Sequence, residues 1–268
     1  MIDKLSLTTA QIPDLDYLEA HSSVKRVDEH RMKLYKYVYE LEKATVFCMP
    51  HKFADNTNAR IPFTKIDINP KKFVCLSEFE TYLKTLFNDP DLNFEIFNIS
   101  RIDIAADTDI ITVNALLSVM NVKHIRSESF QVYKGTIYAG TDPKIRIYDK
   151  VAEIKHRKKK GYEITEYEKG LLDSGKNWTR FEIQLRGVKR NLREVVDDPF
   201  SFASYFDRLE IIKNNGEETH GIMQFLYRFV NRKFRKEIEA LKNNELVEQL
   251  KDIYQSSVTE WIGEKEPF

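Results

Sequence analysis

Hydrophobic positions along this chain recur at two periods, and the periods assign most of the elements. Alternation at every second residue, or a β-rich run bounded by turn residues, predicts strands over 34–49, 61–68, 94–107, 129–140, 144–150 and 178–187. Spacing of three and four predicts helices. In "SEFETYLKTLF" (77–87), Phe79, Leu83, Leu86 and Phe87 form one stripe. Ser77 and Glu80 there have the spacing of a capping box. A second helix is predicted over 112–122, and 151–175 reads as helix then loop. A further helix begins at "DDPF", with Asp198 as cap and Pro199 at the first helical position. Leu226, Phe229, Val230, Phe234, Ile238 and Leu241 place helix in the last sixty residues. The fold class that follows is α+β: a mainly antiparallel sheet, helices on one face, and a helical C-terminal section. Three sections are expected, 1–90, 91–213 and 214–268, the middle one forming the core.

Successive side chains of a strand point to opposite faces. Arg101, Asp103, Ala105 and Asp107 therefore share one face, opposite Ile102, Ile104 and Ala106. Lys144, Arg146, Tyr148 and Lys150 share a face opposite Ile145 and Ile147. Arg180, Glu182, Gln184 and Arg186 oppose Phe181, Ile183 and Leu185. The ordinary reading of such strands is an antiparallel sheet with one buried and one wetted face. The alternative is that the polar faces adjoin and form one functional surface.

Composition sharpens that choice. The 268 residues carry 42 basic and 42 acidic side chains, so the chain is not globally basic, but its charge is unevenly placed. Residues 144–160 hold eight Lys or Arg against two acids, and 176–193 hold six against one. Such stretches are either solvated faces or backbone-binding patches for nucleic acid. "RKFRK" (232–236) is a weaker patch of the same kind. Cys48 and Cys75 sit in apolar runs without CxxC spacing and read as buried thiols in a reducing compartment. The six histidines are isolated, with no His-x-His pair, and read as surface or packing residues. The N-terminus lacks a basic stretch followed by an apolar one, and no apolar run reaches the ~20 residues that span a bilayer. A soluble cytoplasmic protein without membrane contact is expected.

Within the polar faces, Asp103, Asp107 and Glu182 are hard oxygen donors that suit Mg²⁺ or Mn²⁺. Tyr148 stands between Arg146 and Lys150 at two-residue spacing. A phenol with a pKa near ~10 is a weak nucleophile, but adjacent cations favour its ionised form, and a metal can polarise the phosphate it attacks. The plain reading is that Tyr148 is one of thirteen tyrosines and serves strand packing.

"ISRIDIAADTD", "GTIYAGTDPKIRIYDKVAE" and "WTRFEIQLRG", in this order, resemble the Rep_trans type of rolling-circle replication initiator of plasmids, phages and integrative elements. The resemblance covers about residues 94–190. It implies a core like that of the His-hydrophobe-His (HUH) nickases without their His pair. It implies an enzyme that nicks one strand at an origin, stays joined to the 5′ phosphate through Tyr148, and leaves a 3′ hydroxyl as primer. The expected catalytic residues are Tyr148, Arg146 and Lys150, with Asp103, Asp107 and Glu182 as metal ligands and Glu153 as a further candidate. Lys144, Lys155, Arg157, Lys158, Lys159, Lys160, Arg180, Arg186 and Arg190 are expected to grip DNA. Origin DNA, double-stranded and partly single-stranded at the nick, and a host helicase are the expected partners. The oligomeric state is open, a homodimer included. The competing reading is a non-catalytic DNA-binding regulator using the same basic surface.

Overall fold

The computed structural model describes residues 1–27, 34–51, 61–116, 120–122, 131–133, 135–211 and 245–263. The chain begins with β1 (Ile2–Thr9), α1 (Leu15–His21), β2 (Val24–Val27), β3 (Tyr35–Glu40), β4 (Ala44–Pro50) and β5 (Thr64–Ile68). Helix α2 (Leu76–Phe87), the long strand β6 (Asn98–Thr108), a single helical turn α3 (Val113–Leu116) and β7 (Met120–Val122) follow. Next come β8 (Gln131–Tyr133), β9 (Thr136–Ala139), β10 (Lys144–Asp149), α4 (Lys150–Lys159), α5 (Glu166–Asp173) and β11 (Thr179–Arg186). The described chain ends with α6 (Leu192–Asp197), a 3₁₀ segment (Pro199–Arg208), β12 (Leu209–Ile211) and α7 (Glu245–Ile262). This is α+β, and every strand pairing with a defined register is antiparallel, as the alternating pattern predicts. None of the described helices is long and apolar enough to cross a membrane.

Two compact units emerge, and they do not follow chain order. One comprises Met1, Ile104–Gln184 and Ser201–Ser256; the other comprises Ile2–Asp103, Leu185–Phe200 and Ser257–Phe268. In the second unit the strand order is β2-β3-β4-β5-β1, followed by the first half of β6. Leu5 and Leu7 of β1, Val46 and Cys48 of β4 and Ile66 and Ile68 of β5 are all buried, which is the alternation expected of a half-apolar strand. Helix α2 buries Phe79, Leu83, Leu86 and Phe87, the stripe read from the sequence.

In the first unit the second half of β6 is followed by β11-β10-β9-β8. Register makes one apolar stripe across three strands: Ile145 stands opposite Ile183 and Ala139, and Ile147 opposite Phe181 and Ile137. All six are buried. The polar faces are not wetted, contrary to the ordinary antiparallel expectation. Asp103, Asp107, Arg180, Glu182 and Gln184 are each at most 4% exposed. Helix α5 reaches that side of the sheet, where the Tyr167 hydroxyl donates to Asp107 Oδ2 at 2.6 Å.

Several boundaries differ from the sequence reading for local reasons. The stretch 34–49 is two strands, because the chain reverses between Glu40 and Ala44, where the Leu41 amide donates to the Ala44 carbonyl at 2.9 Å. Helix α2 starts at Cys75 with no side-chain cap, and Glu78, not Glu80, accepts from the Val74 amide at 2.6 Å. The 112–122 stretch splits into α3 and β7, whose partner is β12. Asp198 ends α6 and directly precedes the helical segment expected from Pro199, which is 3₁₀ and not α; Asn191 and Glu194 form the capping box of α6. The hydrophobic stripe 226–241 and the "RKFRK" patch lie outside the described residues.

The basic run after β10 is structural at its start. Asp149 caps α4 by accepting from the Ala152 amide at 2.9 Å. Lys150 is 3% exposed, and its ammonium donates to Glu153 at 2.7 Å and to Glu168 at 3.0 Å. Arg157 donates to the same Glu168 at 2.7 Å. Glu168 also closes the capping box of α5 with Thr165. Burial pushes the Glu168 carboxyl up, but Lys150, the Thr165 amide and Arg157 together hold it below its ordinary 4.5. A carboxyl with a depressed pKa contributes stability above its unfolded value and loses it as pH falls through the folded one.

Two outcomes follow. Glu168→Gln removes the buried carboxylate that Lys150 and Arg157 share and leaves Lys150 only Glu153, so urea unfolding at neutral pH should show a loss of about 3 kcal/mol. The excess stability of the wild type over that variant should shrink as pH falls below 4.5. The two thiols should also separate in a timed alkylation at mildly alkaline pH. Cys48 is buried and burial pushes its thiol up to about 12, whereas Cys75 is only half-buried and its contact with the Ser77 hydroxyl lowers its pKa. One thiol per native chain should react quickly, and the second only after unfolding.

Candidate functional site

Strand pairing decides which of the sequence-marked residues meet. Arg146 stands directly opposite Glu182, and Tyr148 directly opposite Arg180. Tyr148 is therefore the diagonal neighbour of Glu182 on the same face, within reach of a long side chain. Its hydroxyl donates to Glu182 Oε2 at 3.1 Å, while Arg146 forms an ion pair with Glu182 Oε1. The Arg146 guanidinium lies 6.0 Å from the centre of the Tyr148 ring, within cation–π range. Glu182 is 1% exposed, and Tyr148 and Arg146 are half-buried. A buried carboxylate thus orients a phenol at the boundary between core and solvent.

Tyr148 also forms part of the wall of a cleft of about 900 Å³. Glu153 and His156 of α4, Trp178 at the start of β11, and Asn114 and Asn177 complete its working surface. The cleft lies wholly within the first unit. His156 was an isolated histidine in the sequence; its helix places it at i+3 from Glu153, on the same face.

The three carboxylates assigned to a metal are otherwise engaged. Asp107 accepts from Arg180 at 2.6 Å through both oxygens, with Arg180 1% exposed. Asp103 accepts from Arg101 at 2.7 Å, and Glu182 from Arg146 and Tyr148. Among the described residues, no group of three His, Cys, Asp or Glu side chains stands ready to hold a metal ion. A divalent cation needs several oxygens that are not already neutralised by a guanidinium. In this arrangement Asp103, Asp107 and Glu182 do not fit Mg²⁺ or Mn²⁺, and Glu153 is joined to Lys150 and Arg157.

The basic residues divide as well. Lys155, Lys158, Lys159 and Lys160 are exposed on α4 and its cap, as a backbone grip requires. Lys144 is half-buried, its ammonium 5.3 Å from the Tyr138 ring centre. Arg157 is shared with Glu168, and Arg190 pairs with Asp198 at 3.1 Å. Arg186 is exposed and belongs, with Arg190, to the second unit. Arg180 is too deeply buried to grip DNA, because removing it from Asp107 would strand two charges in the interior. Lys150 does not flank Tyr148 on a strand: β10 ends at Asp149, and the lysine opens α4 in its buried pair.

Tyr167 was not marked in the sequence. Burial and the Asp107 charge push its phenol above the ordinary value, so it remains a donor to that carboxylate. Asp107 is thereby a three-way junction of β6, β11 and α5. Asp107→Asn should cost about 3 kcal/mol in urea unfolding, and the same amount in EDTA as in Mg²⁺, since the partner it loses is Arg180.

Residues 63–205 match the Phage_CRI family model, which describes the N-terminal part of a phage replication-associated protein. No curated protein matches the chain.

Proposed function

The chain belongs to the Phage_CRI family of replication-associated proteins, a family of rolling-circle replication initiators, and from that membership we propose that it nicks one strand of origin DNA through Tyr148. The observation that carries the proposal is the Tyr148 hydroxyl held at 3.1 Å from the buried Glu182 carboxylate in the wall of a cleft. The order of "RIDIAAD", "KIRIYDK" and "TRFEIQLRG", which resembles the Rep_trans type, supports the same tyrosine.

The phenolic oxygen bonds to phosphorus as its proton passes to Glu182 Oε2. The bond from phosphorus to the 3′ oxygen breaks, and that oxygen takes a proton from solvent. The products are a 5′-phosphotyrosine link and a free 3′ hydroxyl that primes synthesis. Arg146 offsets charge on the phosphoryl oxygens and orients Glu182 through their ion pair. The exposed lysines of α4 hold the backbone on either side. A divalent ion would supply Lewis acidity to such a step; the named carboxylates do not offer it a ready site, so chelation is tested apart from the tyrosine. A host helicase is the proposed partner for opening the duplex beyond the nick.

Incubating single-stranded origin oligonucleotides with the protein, with and without EDTA, and resolving the products on a denaturing gel tests this reading. Wild type should give a covalent adduct, Tyr148→Phe none, and Glu182→Gln an adduct formed roughly 10²-fold more slowly or worse. Adducts that persist in Tyr148→Phe would remove the assignment. Binding without cleavage would leave a DNA-binding regulator.

A further inference from the structure

We propose that the cleft beside Tyr148 takes one unstacked nucleobase of the cut strand, laid on the indole of Trp178. The inference rests on single-stranded DNA being the ligand, and it adds a base-binding site to that reading.

Register places the indole. The Lys150 amide donates to the Trp178 carbonyl at 2.8 Å, which extends the β10–β11 ladder one step past the Asp149–Thr179 pair. Trp178 consequently falls on the Arg180 and Glu182 side of its strand, diagonal to Tyr148, and both rings line the cleft. Trp178 Nε1 donates to Ser174 Oγ at 2.9 Å, and the Lys176 ammonium lies 6.0 Å from the ring centre. An indole tied by its edge has a fixed ring plane, which is what a stacking platform needs.

The lining favours a base over a phosphate. Asp149 and Glu153 line the cleft; Glu153 is paired with Lys150 and Arg157, so neither carboxylate offers an anion a partner there. Asn114 and Asn177 bring amides, each with donors and an acceptor, the complement of a base edge. A volume of about 900 Å³ lies within the range of small-ligand clefts and admits a base with its sugar. The phosphate is then left beside Tyr148. Extruding a base there also fixes the strand's register against the nucleophile, as enzymes do that take a base out of the stack.

The test uses Tyr148→Phe protein, which keeps the strand intact, so covalent nicking can fail while stacking holds, or the reverse. The probes are a thymidine oligonucleotide and an abasic oligonucleotide of equal length and charge. The chain has two tryptophans, so Trp178→Phe assigns the fluorescence signal. The thymidine probe should quench Trp178 and bind roughly tenfold tighter than the abasic one. Trp178→Ala should bring the two probes within about twofold while leaving abasic binding unchanged. A measurement without substitution at 178 stands beside it: bound thymidine probe should shield the indole from acrylamide, and bound abasic probe should not. Equal binding of both probes by the parent, a preference that survives Trp178→Ala, equal acrylamide access, or binding of neither probe would overturn the proposal.

Discussion

Arg180 sits 1% exposed in the first unit with its guanidinium against both oxygens of Asp107. Its strand is buried on both faces, because Phe181, Ile183 and Leu185 fill one side while Arg180, Glu182 and Gln184 fill the other. A charge in that position is tolerated only when paired and hydrogen-bonded. Every polar residue of β11 must therefore find a partner on a neighbouring strand or helix. Asp107 answers Arg180, with Tyr167 donating a third hydrogen bond to it; Arg146 and Tyr148 answer Glu182. The register of β10 on β11 is pinned twice over, by these pairs and by the apolar stripe behind them. A slip of one residue would bury Arg146 among isoleucines and set the stripe against the buried polar groups of β11.

The same constraint makes the candidate site. Glu182 is buried because its strand is central, and Arg146 stands opposite it as its ion-pair partner. Tyr148 is at the margin because β10 ends one residue later, where Asp149 turns the chain into α4. A proton acceptor fixed inside the core and a hydroxyl at its edge is an arrangement suited to nucleophilic attack on a group that arrives from solvent. The ion pairs that hold the sheet also satisfy the acids that looked available to a metal. In this fold the carboxylates on the polar face act first as partners of arginine.

The basic run illustrates how position along a helix separates roles that the sequence presents as one. Lys150 and Arg157, seven residues apart, fall on the side of α4 that meets α5, and both are drawn to Glu168. Lys155, Lys158 and Lys159 fall elsewhere on the helix and stay in water. The run therefore contains a buried structural clamp and an exposed cationic face, with no compositional mark to distinguish them.

The alternation in "RIDIAAD", "KIRIYDK" and "TRFEIQLRG" determined the strands and their apolar faces, because a period of two is a property of the backbone and needs no tertiary context; attention to Tyr148 came from the family resemblance of these stretches, not from the period. The stripe of α2 was legible for the same reason at a period of three and four. Which acid meets which base was not legible. Opposition depends on register between strands that are 30 or more residues apart in the chain, as Arg146 and Glu182 are. Burial of the polar face was hidden too, since a paired charge and a solvated charge are the same letter in a sequence. Trp178 and His156 joined Tyr148 only when β10, α4 and the start of β11 came together around one cleft. The sequence by itself set the local periods and so the faces; the tertiary structure decided the partners, because only packing chooses between water and a neighbouring side chain for each polar group.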